Sequence, residues 1–251
     1  MRIPRRKDWR LPRVSIRFVH VWRRNFLVWR KLAFTSVLGN LADPMMYMLG
    51  LGFGLGALMP EVNGTRYIVF LAAGTVAYST MNSATFEALY SAFSRMQIQK
   101  TWEAIMIAPL DLDDIVLAEA LWAATKATLS GCAILVIIWV LGLSYSALTL
   151  WIIPIAFLAG LTFACLALVM NAISPSYDFF LYYFTLVMTP MTLLCGVFFP
   201  VEQLPATLQA VSVALPLYHA IALVRPLVAG TIPGAPLLHA AVLIAYGVAG
   251  F

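Results

Sequence analysis

Four ionisable side chains stand inside otherwise apolar runs of this sequence: Asp43, Glu87, Glu119 and Lys126. A charge facing hydrocarbon costs about 3 kcal/mol, so each must face protein or water. Glu119 and Lys126 lie two helical turns apart on one face, a spacing that suits a structural pair or a gate between subunits. Proton relays use such groups too, but these four are scattered. The histidines His20, His219 and His239 fall on different segments, and no H-x-x-H or carboxylate pair converges on them. Cys132, Cys165 and Cys195 sit in apolar runs and read as small packing residues, neither a disulfide framework nor a metal site. The run Gly50, Gly52, Gly54, Gly56 is glycine-rich, yet no strand precedes it, and close helix packing accounts for it better than a nucleotide cradle. No G-x-x-x-x-G-K-[ST] loop occurs. The chain therefore reads as a non-enzyme without metal or cofactor; if ATP drives it, a separate subunit hydrolyses the ATP.

What must position these residues is a membrane fold. Apolar residues make up 62% of the 251, against roughly 45–50% in a soluble domain, and charged residues only 11%, against roughly 25%. Lipid is then the solvent for most of the chain. A closed β-barrel would show alternation over short segments, whereas the runs here are long and nearly unbroken, so an all-α membrane protein is predicted. At ~20 residues per span there is room for six or seven helices.

Six spans are predicted, over residues 32–58, 67–92, 115–143, 148–173, 179–199 and 236–251, the last one short. Asp43 before Pro44 marks an expected break in the first. Residues 200–235 carry Pro200, Pro205, Pro216, Pro226 and Pro233 and read as short re-entrant helices at the outer face. Residues 1–31 form a basic cytoplasmic arm and an amphipathic interface helix: Val14, Phe18, Val21, Trp22, Phe26 and Trp29 gather on one side, Arg13, Arg17, His20, Arg24 and Lys31 opposite. Eleven of the sixteen Lys and Arg lie in this arm. Nucleic acid would suit such a charge, but a membrane span follows directly, so anionic lipid is the expected partner. With the N-terminus cytoplasmic, only Arg66 and Arg225 fall outside.

Between the second and third spans, residues 93–113 mix polar groups with a stripe of Met96, Trp102, Ile105 and Met106. A short amphipathic helix here either rests on lipid or docks onto another protein. At the outer end, His219 and Arg225 suit an anionic headgroup or ordinary helix-end contacts.

Three stretches carry a likeness to a known family: Phe86-Glu87 through Arg95-Met96, Gln99-Lys100-Thr101-Trp102 and Ala108-Pro109-Leu110; Pro190-Met191 through Leu194-Cys195-Gly196-Val197-Phe198-Phe199-Pro200-Val201-Glu202-Gln203-Leu204-Pro205; and Leu215-Pro216-Leu217 with His219-Ala220-Ile221 and Leu223-Val224-Arg225-Pro226. Nearly the whole chain resembles the membrane subunits of type-2 ABC exporters, and within them the NodJ-like permeases that export nodulation-factor lipo-oligosaccharides. The resemblance implies two six-helix permeases paired with two cytoplasmic ATPase subunits in the cell inner membrane, exporting a glycolipid or related cargo. It implies ATPase coupling through Arg95, Met96, Gln99, Lys100, Trp102, Glu103 and Ile105. It also implies an outer gate, within residues 196–235, at Phe198, Phe199, Pro200, Glu202, His219 and Arg225. A completed last helix and a brief tail beyond Phe251 are implied as well. Export of drug, lipid or polysaccharide is the near alternative. A secondary carrier relying on Asp43, Glu87 or Glu119 and a membrane-embedded transferase are the readings of other classes.

Overall fold

A backbone that must bond to itself in lipid does so most simply as helices, and helices dominate here. The computed structural model describes residues 14–62 and 64–251, so the first thirteen residues of the expected basic arm lie outside the described residues. The chain enters through α1 (Phe18–Arg30) and α2 (Ala33–Leu58). A small antiparallel pair follows, β1 (Glu61–Val62) and β2 (Thr65–Arg66), with Glu61 opposite Arg66. Next, α3 (Tyr67–Phe86) runs on into a π-turn at Glu87–Ser91; a second π-turn, Ser94–Ile98, precedes the short α4 (Thr101–Ile105). The long α5 (Leu112–Val140) returns, and a 3-10 turn, Ala147–Trp151, opens α6 (Ile152–Ile173). α7 (Asp178–Tyr183) and α8 (Thr189–Leu194) flank a third π-turn, Phe184–Met188. α9 (Ala206–Ala214), α10 (Pro216–Ala229) and α11 (Pro236–Gly250) complete the fold.

The core is built on α3, which is buried on nearly every side and packed by α2, α5, α6 and α10. Several of its buried hydroxyls find partners, though among the described residues the Ser83 hydroxyl has none. Thr75 and Thr80 donate back to the Leu71 and Val76 carbonyls, and Ser79 bonds Ser130 of α5 at 2.8 Å. The α5–α6 contact is close because Gly160 faces it: a Cβ there would stand 3.0 Å from the Ala127 Cβ and 3.2 Å from the Ala124 Cα. Small residues that let helix backbones approach are a membrane packing device.

Among the described residues three helical runs are long and apolar enough to cross a membrane alone: Ala33–Leu58, Leu112–Val140 and Ala147–Ile173. A fourth results if α9 and α10, bent by 87° at Leu215, count as one. The predicted count of six is therefore not reached on length and apolarity. α3 is diluted by hydroxyl and amide groups, while Asp178–Leu194 and the 15-residue Pro236–Gly250 are short; at ~1.5 Å per residue, 15 residues span ~22 Å of a ~30 Å core. The predicted break at Asp43-Pro44 is also absent. α2 runs through Pro44, which a membrane helix tolerates when neighbours meet the freed carbonyl.

Candidate functional site

Where α3 widens into its π-turn, four charges converge. Arg95, from the second π-turn, donates through Nε to Glu119 Oε1 at 2.9 Å and through one NH2 to Glu119 Oε2 at 2.5 Å and Glu87 Oε1 at 2.9 Å. Lys126 Nζ completes the set on Glu87 Oε2 at 2.9 Å. Two indoles close it: Trp122 Nε1 donates to Glu87 Oε1 at 2.9 Å, and Trp102 Nε1 to Glu119 Oε1 at 3.2 Å. Two carboxylates meet two cations, so the cluster is neutral, and its carboxylate side chains are 4% and 1% exposed. Burying charge is sustainable only when every member is paired in this way. Burial by itself would loosen the Arg95 proton, but Glu119 and then Glu87 outweigh it and hold the guanidinium more firmly than usual.

The expected same-helix pair of Glu119 with Lys126 does not form. Each takes its partner from the α3 side, because the π-turns bring Glu87 and Arg95 against α5. A π-turn frees backbone carbonyls, and Asn171 of α6 reaches across to take them: its Nδ2 donates to Ala88 O at 2.7 Å and Leu89 O at 3.4 Å.

The 93–113 segment differs in one respect from the stripe read in the sequence. Trp102 turns inward, buried at 7% exposure, and Met96 and Ile105 pack half-buried on the main core. The surface facing away from the protein is instead Ile98, Gln99, Lys100 and Ile107, the last 88% exposed, with Met106 at its edge. Lys100 adopts a left-handed conformation (φ 52°) at the apex between the second π-turn and α4. Glu103 is half-buried on α4. Sequence reasoning passed over Ile98 and Ile107; their signal is two isoleucines flanking the polar apex.

α1 braces this region. Trp22, Phe26 and Trp29 pack edge-on to Trp122 at centroid distances of 5.7–6.5 Å, and Trp22 Nε1 donates to Thr125 Oγ1 at 3.1 Å. Asn25, missed on the sequence wheel, is buried on the same side. Ser15 donates from its backbone N and hydroxyl to Asp114 at 2.6 and 2.9 Å, Arg17 donates to the Pro109 carbonyl, and Asp111 and Asp114 cap α5 reciprocally.

The residues named for the outer end divide. The Arg225 guanidinium lies 3.7 Å from the Phe70 ring centroid and donates to the Gly196 carbonyl. Tyr67 donates to Phe198 O at 3.1 Å, so the turn at 195–200 is clamped twice. Gly196 has φ +84°, and a Cβ there would meet Val201 Cγ2 at 2.9 Å. Phe198 and Phe199 are half-buried, Pro200 is buried and Glu202 is exposed; Glu202 and Arg225 share the wall of a cavity of about 170 Å³. His219 is buried, and its ring nitrogens are taken up inside the fold. Its Nε2–H donates to Val213 O at 2.9 Å, which leaves Nδ1 to accept from His239 Nδ1–H at 2.7 Å in the neutral pair. Asp43, apart from all of these, accepts from the Tyr78 hydroxyl at 3.0 Å beside a groove of about 240 Å³ lined by Tyr47, Tyr78, Asn82 and Phe198.

A sequence profile described as ABC-2 type transporter matches residues 17–228. Among curated proteins, Nodulation protein J of Rhizobium leguminosarum bv. viciae is 47% identical over 241 residues, covering 96% of this chain and 93% of that protein. Nodulation protein J of Rhizobium meliloti (strain 1021) is 48% identical over 229 residues, 91% and 86% of the two chains. The Neorhizobium galegae protein of that name is 50% identical over 220 residues, 88% and 84%.

Proposed function

The chain belongs to the ABC-2 type transporter family, a multi-pass membrane transport subunit, and from that premise we propose that it forms one half of an export path powered by a cytoplasmic ATPase. In this reading two copies of the chain pair with each other and with two ATPase subunits. The crossings are α2, α3 with its π-turn, α5, α6, α7–α8 and α11, with α9 and α10 as short outer helices. The N-terminus lies on the cytoplasmic side of the inner membrane, where α1 rests at the interface and Ile98, Gln99, Lys100 and Ile107 meet the ATPase. The cargo is a lipo-oligosaccharide or related glycolipid, a choice supported by the name Nodulation protein J that the relatives carry. Other lipid or polysaccharide cargo is the near alternative.

The observation that carries this reading is the neutral quartet. It joins the outward apex of residues 94–105 to α3 and α5, the buried centre of the bundle. A push on the apex is thereby transmitted to helices through charge-assisted bonds that do not stretch without breaking. Transport then follows from alternation of the dimer between states in which that joint is differently loaded. Driving by protons has less support, since Glu87 and Glu119 are locked to Arg95 and Lys126. In this reading the turn held by Arg225 and Tyr67 closes the exit, with Phe198 and Phe199 beside it.

The test replaces Ile107 with Asp in cells that also carry the ATPase. Ile107 is nearly fully exposed, so membrane insertion and folding should be retained, while co-purification of the ATPase and export of glycolipid should fall at least ten-fold. ATPase binding and export at wild-type levels in this variant would remove the apex from the mechanism. Comparing exported glycolipids between intact and deletion strains identifies the cargo.

A further inference from the structure

Among the described residues none covers the face of α1 turned away from α5, and its composition is specific. The stripe opposite Trp22, Phe26 and Trp29 consists of His20, Arg23, Arg24, Leu27, Val28 and Lys31, which together line an open groove of about 320 Å³. Three permanent cations and an imidazole line it together with two aliphatic side chains, 39% and 58% exposed. Among the described residues no carboxylate makes an ion pair with any of the four; the one recorded partner of Arg24 is the neutral Asn25 Oδ1, at 3.0 Å. Behind the groove, burial and then the nearby Arg95 push the Arg24 proton affinity down, and Glu119 offsets only part of that. The site is short of negative charge.

Its height in the membrane narrows the occupant. Only Lys31 and Leu32 separate α1 from α2, the first helix long and apolar enough to cross. On the reading proposed above, in which α1 rests at the interface, it sits at the depth where lipid headgroups end and acyl chains begin. A molecule that offers a phosphate to Arg23, Arg24 and Lys31 and an alkyl chain to Leu27 and Val28 is an anionic phospholipid.

We propose that the outer groove of α1 is a discrete binding site for one anionic phospholipid. Its headgroup stands beside Arg24, and so beside the guanidinium of Arg95 that ties the quartet together. A zwitterionic lipid brings a quaternary ammonium into the same cationic rim and is disfavoured. Free phosphate lacks the alkyl chain that covers Leu27 and Val28.

The experiment measures binding to the full chain in neutral-detergent micelles by native mass spectrometry, with dioctanoyl phosphatidylglycerol, dioctanoyl phosphatidylcholine and inorganic phosphate as probes. The glycerol lipid is expected to bind at least ten-fold tighter than the choline lipid. Each cation near a membrane surface contributes about a five-fold change, so Arg23→Gln with Arg24→Gln should weaken it about 25-fold. Arg66→Gln, at an exposed arginine in β2, should leave the affinity unchanged. Equal binding of the two lipids by the wild-type chain overturns the site without any variant. So does an unaltered affinity in the double variant, an equal loss in Arg66→Gln, or displacement of the lipid by phosphate at similar concentration. Neither ATPase nor cargo enters the measurement, so its failure and the failure of the export reading are separate results.

Discussion

Removing Arg95 tests whether the four charges act as one joint. Replacing it with Met deletes three hydrogen bonds to two carboxylates but spares Glu87, which keeps Lys126 and Trp122, each at 2.9 Å. Glu119 is left with the Trp102 indole at 3.2 Å and a side chain only 1% exposed. An uncompensated buried charge of this kind costs about 3–5 kcal/mol. The loss therefore belongs to Glu119, and the suppressor follows. In Arg95→Met with Glu119→Gln the remaining ions, Glu87 and Lys126, are balanced, and most of the loss should return. In Arg95→Met with Glu87→Gln both Glu119 and Lys126 are unpaired, and nothing should return. Unfolding the purified variants in mixed micelles against rising denaturing detergent gives the cycle directly. The Arg95–Glu119 coupling should be about 2 kcal/mol or more. If the two single changes add to within about 0.5 kcal/mol, or Glu87→Gln rescues as well as Glu119→Gln, the quartet is not a unit and the argument for transmission through it fails.

Trp122→Phe keeps the aromatic bed for α1 but drops the bond to Glu87, which should cost about 1–3 kcal/mol and expose α1 to limited proteolysis sooner than in the wild type. Gly160→Leu forces a branched side chain against Ala124 and Ala127 and should destabilise the chain by about 1–3 kcal/mol, seen as a lower melting temperature in detergent. Gly196→Ala combines a positive φ with a 2.9 Å approach to Val201; a loss of at least about 1 kcal/mol is expected, and an unchanged melting point would mean that the clamped turn is easily rebuilt.

Much of the fold was legible from apolarity alone. Runs of apolar residues placed α2, α5 and α6 to within a few residues, and the period of Trp22, Phe26 and Trp29 grouped them on one face of α1, read as that of an interface helix, where the structure sets them against Trp122. The ionisable groups in those runs were visible as residues that must turn inward. Their pairing was not, because it depends on two π-turns, and a turn that holds one residue too many leaves no mark in a hydropathy pattern. Trp102 was assigned outward on spacing that assumes a continuous helix, whereas Lys100 breaks the phase in its left-handed conformation. Asn25 was placed on neither face of the wheel, and the docking of α1 against α5 buries it. Pro44 was read as a break, a rule drawn from helices whose freed carbonyls meet water.

The widened turn at Glu87–Ser91 also sets a counting rule for the chain. Each residue in a helix advances the direction of the next by about 100°. Such a turn holds about five residues in the angle that four ordinarily fill, so taking out Tyr90 could close it and keep the direction beyond. Taking out one residue from the ordinary pitch of α3, Ala84 for instance, would instead swing everything beyond it round by that angle. Arg95 would then point away from Glu119, and the Asn171 amide would lose the carbonyls it serves. Substitution is a local matter at most positions here, but length is not: the helix ahead of the turn behaves like the teeth of a gear, where losing one disengages the whole train.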